Sequence, residues 1–251
     1  MYLSWIIPAY NEEKRIEKTL RETEAYLKSK NFPDGYEIIV VDSSSRDRTG
    51  EIVKNLAHFI PDLSLIAAEN HGKGWAVKQG MLKARGAIRV FSDADNSTSP
   101  QSFDLMEPFF ARGCDVVISS RNAKDAPGAG RDVEEPRYRE ILGALGNRII
   151  RLVGVSGIHD TQNGFKGFTA SAAENIFSRT RMTGFSFDVE ALALARQLKY
   201  KIGIIPVRWR FEPESKVTPK TYFEVLRDVF RIRWNLAVNK YDIKKPHDIR
   251  F

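Results

Sequence analysis

The chain has 251 residues, of which 42% are hydrophobic, enough for one sizeable core or at most two small ones. A formal net charge of +7 favours phosphate-rich partners: nucleotides, nucleic acid or an anionic membrane surface. The single cysteine, Cys114, excludes an intramolecular disulfide framework, and no apolar run approaches the roughly 18 residues of a membrane span. With no signal peptide before the first predicted strand, we expect a cytoplasmic protein that can attach peripherally to the cytoplasmic face of a membrane.

The first hundred residues alternate between short apolar strands and helices. Strands are predicted at residues 3–8, 36–41, 63–68 and 88–91. Helices are predicted from Glu12 to about Lys30 with Asn11 as N-cap, from the Thr49 region to about Phe59, and within 72–84. Four such units in a row predict an α/β fold with a parallel sheet and helices on both faces.

The second half continues with the same element types and adds two polar segments. After Pro100 the predicted elements are a helix to about Arg112, a strand at 115–119, a polar segment at 121–136 suited to a mobile active-site loop, and a helix at 138–153. They are followed by a turn and strand at 160–168, a helix at 187–199 and a strand at 202–207. A polar loop at 211–219 then leads to a basic helix at 220–239.

An acidic loop follows the fourth strand and carries Asp93 and Asp95, separated by Ala94. In an extended loop these two carboxylates point the same way and repel each other, and a divalent cation would relieve the repulsion. Oxygen ligands at the carboxyl end of a central strand suit Mg²⁺ or Mn²⁺. The alternative is an acidic turn in which Asp95 caps the helix that starts near Pro100.

Two other strand ends carry candidate binding residues. Asp42 ends the second strand, where a carboxylate can accept hydrogen bonds from a base or ribose; alternatively, Ser45 or Asp47 caps the next helix. The segment His71-Gly72-Lys73-Gly74 precedes a helix, whose amino end attracts phosphate. Val77 occupies the third glycine position of a dinucleotide fingerprint, which disfavours NAD.

Several cations lie in or beside loops expected at the carboxyl end of the sheet. Each alone is a solvated charge, but together they could clamp a second phosphate group; they are Arg121, Arg139, Arg148, Arg210 and Lys216. The final helix mixes apolar residues with Arg227, Arg231 and Arg233. Its apolar side either packs on the domain or lies on an anionic membrane, and both can hold over different turns.

Taken in order, these motifs resemble the family 2 glycosyltransferases of the GT-A fold. The resemblance in the first hundred residues is carried by Pro8-Ala9-Tyr10-Asn11-Glu12-Glu13, Val41-Asp42 with Ser45 to Thr49, Asn70 with Gly72-Lys73-Gly74, and Asp93-Ala94-Asp95. The later half resembles dolichyl-phosphate glucosyltransferases and the related mannose synthases through Ser120-Arg121, Asp160-Thr161-Gln162, Gly164-Phe165-Lys166, Gly184-Phe185, Phe187-Asp188-Val189-Glu190 and Ser215-Lys216-Val217.

The resemblance implies a single GT-A catalytic domain over 1–219, followed by a C-terminal amphipathic helix and tail over 220–251. It implies inverting, metal-dependent transfer of a hexose, glucose foremost, from UDP-glucose to a polyprenyl (dolichyl-type) phosphate, with Mg²⁺ or Mn²⁺. Donor binding would fall to Pro8, Tyr10, Glu12, Asp42, Lys73, Asp93, Ala94 and Asp95, and the metal to Asp93 and Asp95. The acceptor phosphate would be held by Arg121, Arg139, Arg210, Ser215 and Lys216, and the catalytic carboxylates would be Asp95, Asp160 and Asp188.

Two departures from the family pattern bear on this reading. Ser97 stands where mannose synthases tend to have glutamine, which weakly favours the glucosyl branch and questions a third protein ligand for the metal. Many relatives also carry membrane helices, whereas this sequence has no such apolar run. The last helix would then supply surface attachment, unless the acceptor is not lipid-linked.

Three other functions are compatible with parts of the sequence. A soluble or polysaccharide hydroxyl acceptor would make Asp160 or Asp188 an indispensable base. A nucleic-acid or anionic-surface binding module would suit the net charge, but the sequence has no nucleic-acid motif, and the Asp93/Asp95 pair would repel a phosphate backbone. A catalytically inactive scaffold is disfavoured by the same retained acidic pair. We therefore expect no nucleic-acid partner.

Overall fold

A computed structural model of the protein describes residues 1–131, 155, 157–209 and 219–243. The strands are β1 (Leu3–Ala9), β2 (Tyr36–Asp42), β3 (Leu63–Ala67), β4 (Ile88–Ser92), β5 (Val116–Ser120), β6 (Gly130–Arg131), β7 (Phe165–Thr169), β8 (Ile202–Pro206) and β9 (Arg208–Trp209). The helices are α1 (Ile16–Ser29), α2 (Thr49–Ala57), α3 (Lys73–Lys83), α4 (Phe103–Ala111), α5 (Ala170–Arg179), α6 (Phe187–Gln197) and α7 (Pro219–Ala237), with a 3-10 turn at Pro100–Ser102.

One seven-stranded sheet runs through the molecule in the order β3-β2-β1-β4-β7-β5-β8. Every neighbouring pair is parallel except those made by β7, which is antiparallel to both β4 and β5. The prediction of a mostly parallel sheet flanked by helices is therefore confirmed. Since β1, β2 and β4 are parallel neighbours, the loops that follow them emerge at one edge of the sheet.

Both faces of the sheet are covered, which explains why its strands read as continuous apolar runs. In β1, Ile6 faces the cluster that contains α3, α5 and α6, whereas Trp5 and Ile7 face the cluster that contains α1, α2 and α4. The indole of Trp5 is fully buried, and its Nε1 donates to Ser92 Oγ at 2.8 Å. This bond ties β1 to the last residue of β4, where the acidic loop begins.

Several predicted boundaries differ from the structure. Helix α1 begins at Ile16, and Asn11 does not cap it, because Asn11 has φ +52° and its Oδ1 accepts from the Arg46 backbone N–H instead. Neither Ser45 nor Asp47 is the N-cap of α2, although Asp47 Oδ1 accepts from Thr49 N at 3.0 Å. Asn11 thus bonds a different loop from the helix it was expected to cap, whereas Asp47 bonds the first residue of α2 from one position before the N-cap, Arg48.

Helix α5, which begins directly after β7, was not predicted, although its alanines favour a helix. Its N-cap is Thr169, whose side chain accepts from Ala172 N. The predicted polar segment 121–136 is described as far as Arg131, and β6 within it pairs with β9 in parallel. The predicted helix 138–153 and loop residues 211–218 lie outside the described residues. Within those described, no helix combines the length and apolar character needed to cross a bilayer.

Helix α3 packs on β1 at a very short distance, and Gly80 makes this possible. A Cβ on Gly80 would overlap Cγ2 of Ile6 and lie 3.1 Å from Cγ2 of Val41. Gly80→Ala should therefore destabilise the fold by about 1–2 kcal/mol, since overpacking outweighs the gain of about 1 kcal/mol in helix propensity. Urea unfolding measures the change.

The matched control is the double variant Gly80→Ala/Ile6→Ala, which removes the methyl that the new Cβ would strike. Its loss of stability should be smaller than the sum of the two single losses, because each change relieves the other. Additive losses, or a stabilised Gly80→Ala protein, would contradict this account of the α3–β1 contact.

Candidate active site

The acidic loop is fixed by its backbone at the carboxyl end of β4. Asp93 N donates to Gly164 O at 3.1 Å, and Thr19 Oγ1 donates to Ala94 O at 2.7 Å. Asp95 Oδ1 accepts from Ser97 N at 2.9 Å, while the following 3-10 turn has Ser99 as its N-cap. The alternative in which Asp95 caps that helix is therefore wrong. The Asp95 carboxylate instead accepts a hydrogen bond from the backbone of its own loop.

Lys73, the first residue of α3, supplies a positive charge to this loop. Its Nζ lies 2.5 Å from Asp93 Oδ1, and the two side chains are 23% and 27% exposed. Burial lowers the pKa of Lys73, but the negative charges of Asp93, Asp188 and Asp95 outweigh burial and raise the pKa above its ordinary value. The ammonium therefore stays charged beside the acidic pair.

The carboxylate of Asp95 has a raised pKa, which indicates that nearby positive charge does not fully compensate it. Burial and the neighbouring charge of Asp93 raise the pKa of Asp95, against the opposing effects of the Ser97 hydrogen bond and of Lys73. A divalent cation would relieve this repulsion, so the two carboxylates fit such an ion. Within the described residues no three His, Cys, Asp or Glu side chains come together as a metal cage. An ion held by two carboxylates would need further ligands, and Mg²⁺ in proteins usually keeps several waters.

Gly164 lets the loop before β7 approach the acidic pair. A Cβ at this position would overlap the carboxylate of Asp93. Two residues further on, Lys166 is fully buried; its Nζ donates to Asp188 Oδ1 at 2.7 Å and to Asn163 O at 2.5 Å. The Lys166 ammonium thereby joins the loop before β7 to the first turn of α6.

Asp188 belongs to the same group of charges. It is 3% exposed, and burial raises its pKa even though Lys166 and Lys73 both oppose the shift. Asp188 was expected as a base or an orienting carboxylate. Its direct partner is Lys166, an arrangement that fits orientation.

Arg121 and Asp160 form a second charged unit beyond the end of β5. Arg121 donates to Asp160 through its backbone N, its Nε and its Nη2, at 2.9, 2.7 and 2.8 Å. Burial raises the pKa of Asp160, but Arg121 outweighs it and lowers the pKa to about 2. So strongly ionised a carboxylate is a weak base, and it holds the guanidinium in one orientation.

Asp125 supports this unit, and the sequence analysis missed it. Its fully buried carboxylate accepts from Ser120 Oγ, from the backbone N–H groups of His159 and Asp160, and from His159 Nδ1, all within 2.7–3.0 Å. The only signal in the sequence is an aspartate five residues after a strand-end serine, which reads as an ordinary polar turn.

The loops after β1 and β2 interlock at the same edge of the sheet. Ala9 pairs with Asp42 in the sheet, and Pro8 is buried one residue earlier. Asn11 N donates to Ser45 Oγ at 2.9 Å, and Glu12 N donates to Thr49 Oγ1 at 2.8 Å.

Asp42 itself is half-buried, and its Oδ1 accepts from Ser45 N at 3.0 Å. The structure therefore brings the loop of Tyr10 and Glu12 against the loop of Asp42. Of the residues expected to hold the acceptor phosphate, Arg121 is described, whereas Arg139, Arg210, Ser215 and Lys216 lie outside the described residues, as does Arg148.

Solved structures establish the class of fold. Glucosyl-3-phosphoglycerate synthase from Mycobacterium tuberculosis, in complex with Mn²⁺, UDP and phosphoglyceric acid, superposes with a TM-score of 0.67 at 17% identity, over 98% of this chain and 80% of that one. The mannosyltransferase PcManGT from Pyrobaculum calidifontis, in complex with GDP-Man and Mn²⁺, gives 0.61 at 21% identity, over 94% and 64%. The chain has the GT-A fold.

Sequence relatives define the family. Residues 4–177 match glycosyl transferase family 2. A dolichyl-phosphate beta-glucosyltransferase of Trichomonas vaginalis is 35% identical over 97% of this chain and 76% of its own length. Enzymes of that name from Drosophila melanogaster and Homo sapiens are 37% and 30% identical, each over 92% of this chain and 74% of their own length. The chain belongs to glycosyl transferase family 2 and is a glycosyltransferase.

The Arg121–Asp160 pair predicts a pH-dependent contribution to stability. Because the folded pKa of Asp160 is about 2 and its ordinary value is 3.8, ionised Asp160 stabilises the fold above pH 4, and this contribution is lost as the pH falls toward 2. Asp160→Asn should cost about 2 kcal/mol at pH 7, since a tenfold change in proton affinity corresponds to about 1.4 kcal/mol. Urea unfolding between pH 7 and pH 3 measures the difference.

The difference between wild type and variant should narrow below pH 4. Asp62→Asn, an exposed carboxylate on the loop before β3, is the control and should change little at any pH. A deficit for Asp160→Asn that stays constant down to pH 3 would show that the ion pair is not its source.

Proposed function

We propose that the protein transfers a hexose, glucose foremost, from UDP-glucose to a polyprenyl phosphate of the dolichyl type, with inversion and with a divalent metal ion. The observation that carries the proposal is the Asp93–Asp95 pair at the carboxyl edge of the sheet, beside Lys73 and on the same edge as the two interlocked loops after β1 and β2. The acceptor would lie in a membrane, and the reaction would take place at its cytoplasmic face.

The relatives support the proposed reaction from sequence, and the solved structures support the cofactor. The relatives from three organisms are named as dolichyl-phosphate beta-glucosyltransferases and align over nearly the whole chain. The two solved structures hold Mn²⁺ together with UDP or GDP-Man. They guide the choice of Mg²⁺ or Mn²⁺ and of a nucleotide sugar, although their low identity establishes only the fold.

On the donor side, each proposed residue has a distinct task. Asp42, with Pro8, Tyr10 and Glu12, would bind the uridine, because these residues flank the interlocked loops. Asp93 and Asp95, on either side of Ala94, would hold the metal ion, which as a Lewis acid stabilises the charge that builds up on the leaving diphosphate. Lys73, charged and next to Asp93, would stabilise the same charge directly.

On the acceptor side, the chemistry favours positioning over base catalysis. A phosphate monoester has a second pKa of about 6 and is largely ionised near neutral pH, so it attacks without losing a proton to the protein. Arg121, held by Asp160, would orient this phosphate with Arg139, Arg210, Ser215 and Lys216. Asp160 and Asp188 then act as orienting carboxylates, each paired with a cation. Holding the acceptor in line replaces a bimolecular encounter with a fixed geometry.

The direct test is sugar transfer from a panel of radiolabelled UDP- and GDP-sugars to short polyprenyl phosphates, with Mg²⁺, with Mn²⁺ and with EDTA. We expect an organic-soluble, β-linked product from UDP-glucose that is lost in EDTA. A parallel series offers 3-phosphoglycerate and free sugars as soluble acceptors. Transfer confined to those acceptors would discard the lipid acceptor and keep the donor assignment, whereas transfer that survives EDTA would remove the metal from the mechanism.

Asp95→Asn separates a metal ligand from a structural residue. We expect the rate of transfer to fall by about a hundredfold or more, since the residue's proposed task is to bind the metal. The folded pKa of Asp95 is raised, so the ionised carboxylate costs stability once the pH exceeds that pKa, and asparagine removes this cost. The melting temperature at pH 7 should therefore stay the same or rise.

The control is again Asp62→Asn, which should keep both rate and melting temperature. Manganese binding followed by electron paramagnetic resonance gives a second readout that does not require turnover. A folded variant that turns over normally, or that binds Mn²⁺ as tightly as the wild type, would remove Asp95 from the metal site.

A further inference from the structure

Helix α7 has one face that is firmly packed on the domain. Val225, Val229 and Ile232 are buried against the cluster that contains α6. Asp228 on the same face accepts from Ser186 Oγ at 2.6 Å. This helix is therefore fixed in orientation, and what its other face presents is determined by the fold.

The opposite face presents a ridge of aromatic side chains. Phe223, Phe230 and Trp234 are 75%, 61% and 64% exposed. At 100° per residue, spacings of seven and four place all three within about 40° of arc, directly opposite the buried residues. Large apolar side chains exposed in a continuous row indicate an interaction surface, whereas single ones do not.

Arginines flank this ridge on both sides. By the same helical geometry, Arg233 lies on one side, and Arg227 and Arg231 lie on the other; all three are exposed. Arg227 Nη2 lies 3.2 Å from Asp228 Oδ1, but the Arg227 side chain is 72% exposed, and such surface ion pairs contribute little to stability. Aromatic rings between cationic flanks match the interface of an anionic bilayer, where rings insert at the headgroup level and arginines meet phosphates.

We infer that the exposed face of α7, defined by Phe223, Phe230, Trp234 and the three flanking arginines, docks the enzyme on an anionic membrane surface. A second copy of the chain fits this face less well, since a twofold pairing of two such helices would bring like-charged arginines together. The inference rests on the proposed function, because a lipid-linked acceptor is the reason why the enzyme would need a membrane.

The docking face is structurally connected to the candidate active site. A cavity of about 260 Å³ opens between α7 and the loop 181–186, lined by Arg181, Phe185, Arg227 and Arg231 among others. In the same loop, Thr183 O accepts from Trp75 N at 3.2 Å, and the Phe185 ring lies 6.0 Å from Lys73 Nζ. A bilayer against α7 would therefore lie beside the loop that borders the acidic pair, and a lipid phosphate would have a short path to it.

Binding to vesicles without acceptor tests the inference independently of catalysis. Vesicles of neutral phosphatidylcholine and of phosphatidylcholine with 30% phosphatidylserine (a composition of about one anionic lipid in three) are sedimented with the purified protein. We expect binding to the anionic vesicles that weakens with salt. The triple variant Phe223→Ser/Phe230→Ser/Trp234→Ser should lose about tenfold or more of the partition coefficient, and Arg227→Gln/Arg231→Gln/Arg233→Gln should lose the preference for anionic lipid.

Phe59 provides a matched control, since it is 78% exposed on the loop after α2, away from α7. Phe59→Ser should bind vesicles like the wild type. Tryptophan fluorescence should shift to the blue on binding in the wild type but much less in Trp234→Phe, which keeps the other three tryptophans. Equal vesicle binding by wild type and the aromatic triple variant would overturn the inference.

Two further measurements separate this inference from the proposed function and from self-association. With a water-soluble short prenyl phosphate, the aromatic variant should transfer sugar at the wild-type rate, whereas with a long prenyl phosphate in vesicles it should be about tenfold slower. An inactive wild type that still binds vesicles would sink the proposed function alone. A wild-type dimer that the aromatic variant converts to a monomer, with no vesicle binding by either, would assign the face to a second copy.

Discussion

The site depends on a requirement of electrostatics: charges taken out of water must be paired. Four charged side chains meet at the carboxyl edge of the sheet: the partly exposed Lys73 lies beside Asp93, and the buried Lys166 is bonded to Asp188. Each pair joins two different elements, so satisfying the charges also sets the loop positions. Breaking the Lys166–Asp188 pair would leave a buried charge without compensation, which costs more than never having built the pair. The lysines around the acidic loop therefore help to fix its geometry.

The site holds more carboxylates than lysines, and this excess of negative charge bears on function. Lys73 compensates Asp93, but burial and the charge of Asp93 keep the pKa of Asp95 raised, so a further cation would stabilise the ionised pair. The Arg121–Asp160 unit differs, because Arg121 compensates the charge of Asp160 and lowers the pKa of that carboxylate. Burial raises the pKa of both carboxylates; at Asp95 the charge of Asp93 adds to this effect, whereas at Asp160 the Arg121 guanidinium outweighs it. This contrast favours Asp95 over Asp160 as the residue that meets a ligand cation.

The sequence was informative where a residue's position along a strand decides its place in space. Asp42, Asp93 and Asp95 follow apolar strands, and parallel pairing of β1, β2 and β4 brings them to one edge, as predicted. Lys166 was noticed only as part of a motif, because its buried position inside β7 depends on long-range pairing with β4 and β5. Asp125, Thr169 and helix α5 were missed because their signals are local and weak. Asn11 failed as a cap because tertiary contact with Arg46 competed successfully for its side chain.

Helix α7 illustrates what periodicity alone leaves open. Its sequence is apolar over so wide an arc that it suits either a packed helix or an interfacial one, and both alternatives were retained. The structure shows which face of the helix is packed and which is exposed. The aliphatic residues Val225, Val229 and Ile232 fill the core, whereas the aromatic Phe223, Phe230 and Trp234 remain in solvent. A helix built this way can be anchored to the domain and still present an apolar surface, so packing and docking need not compete for the same residues.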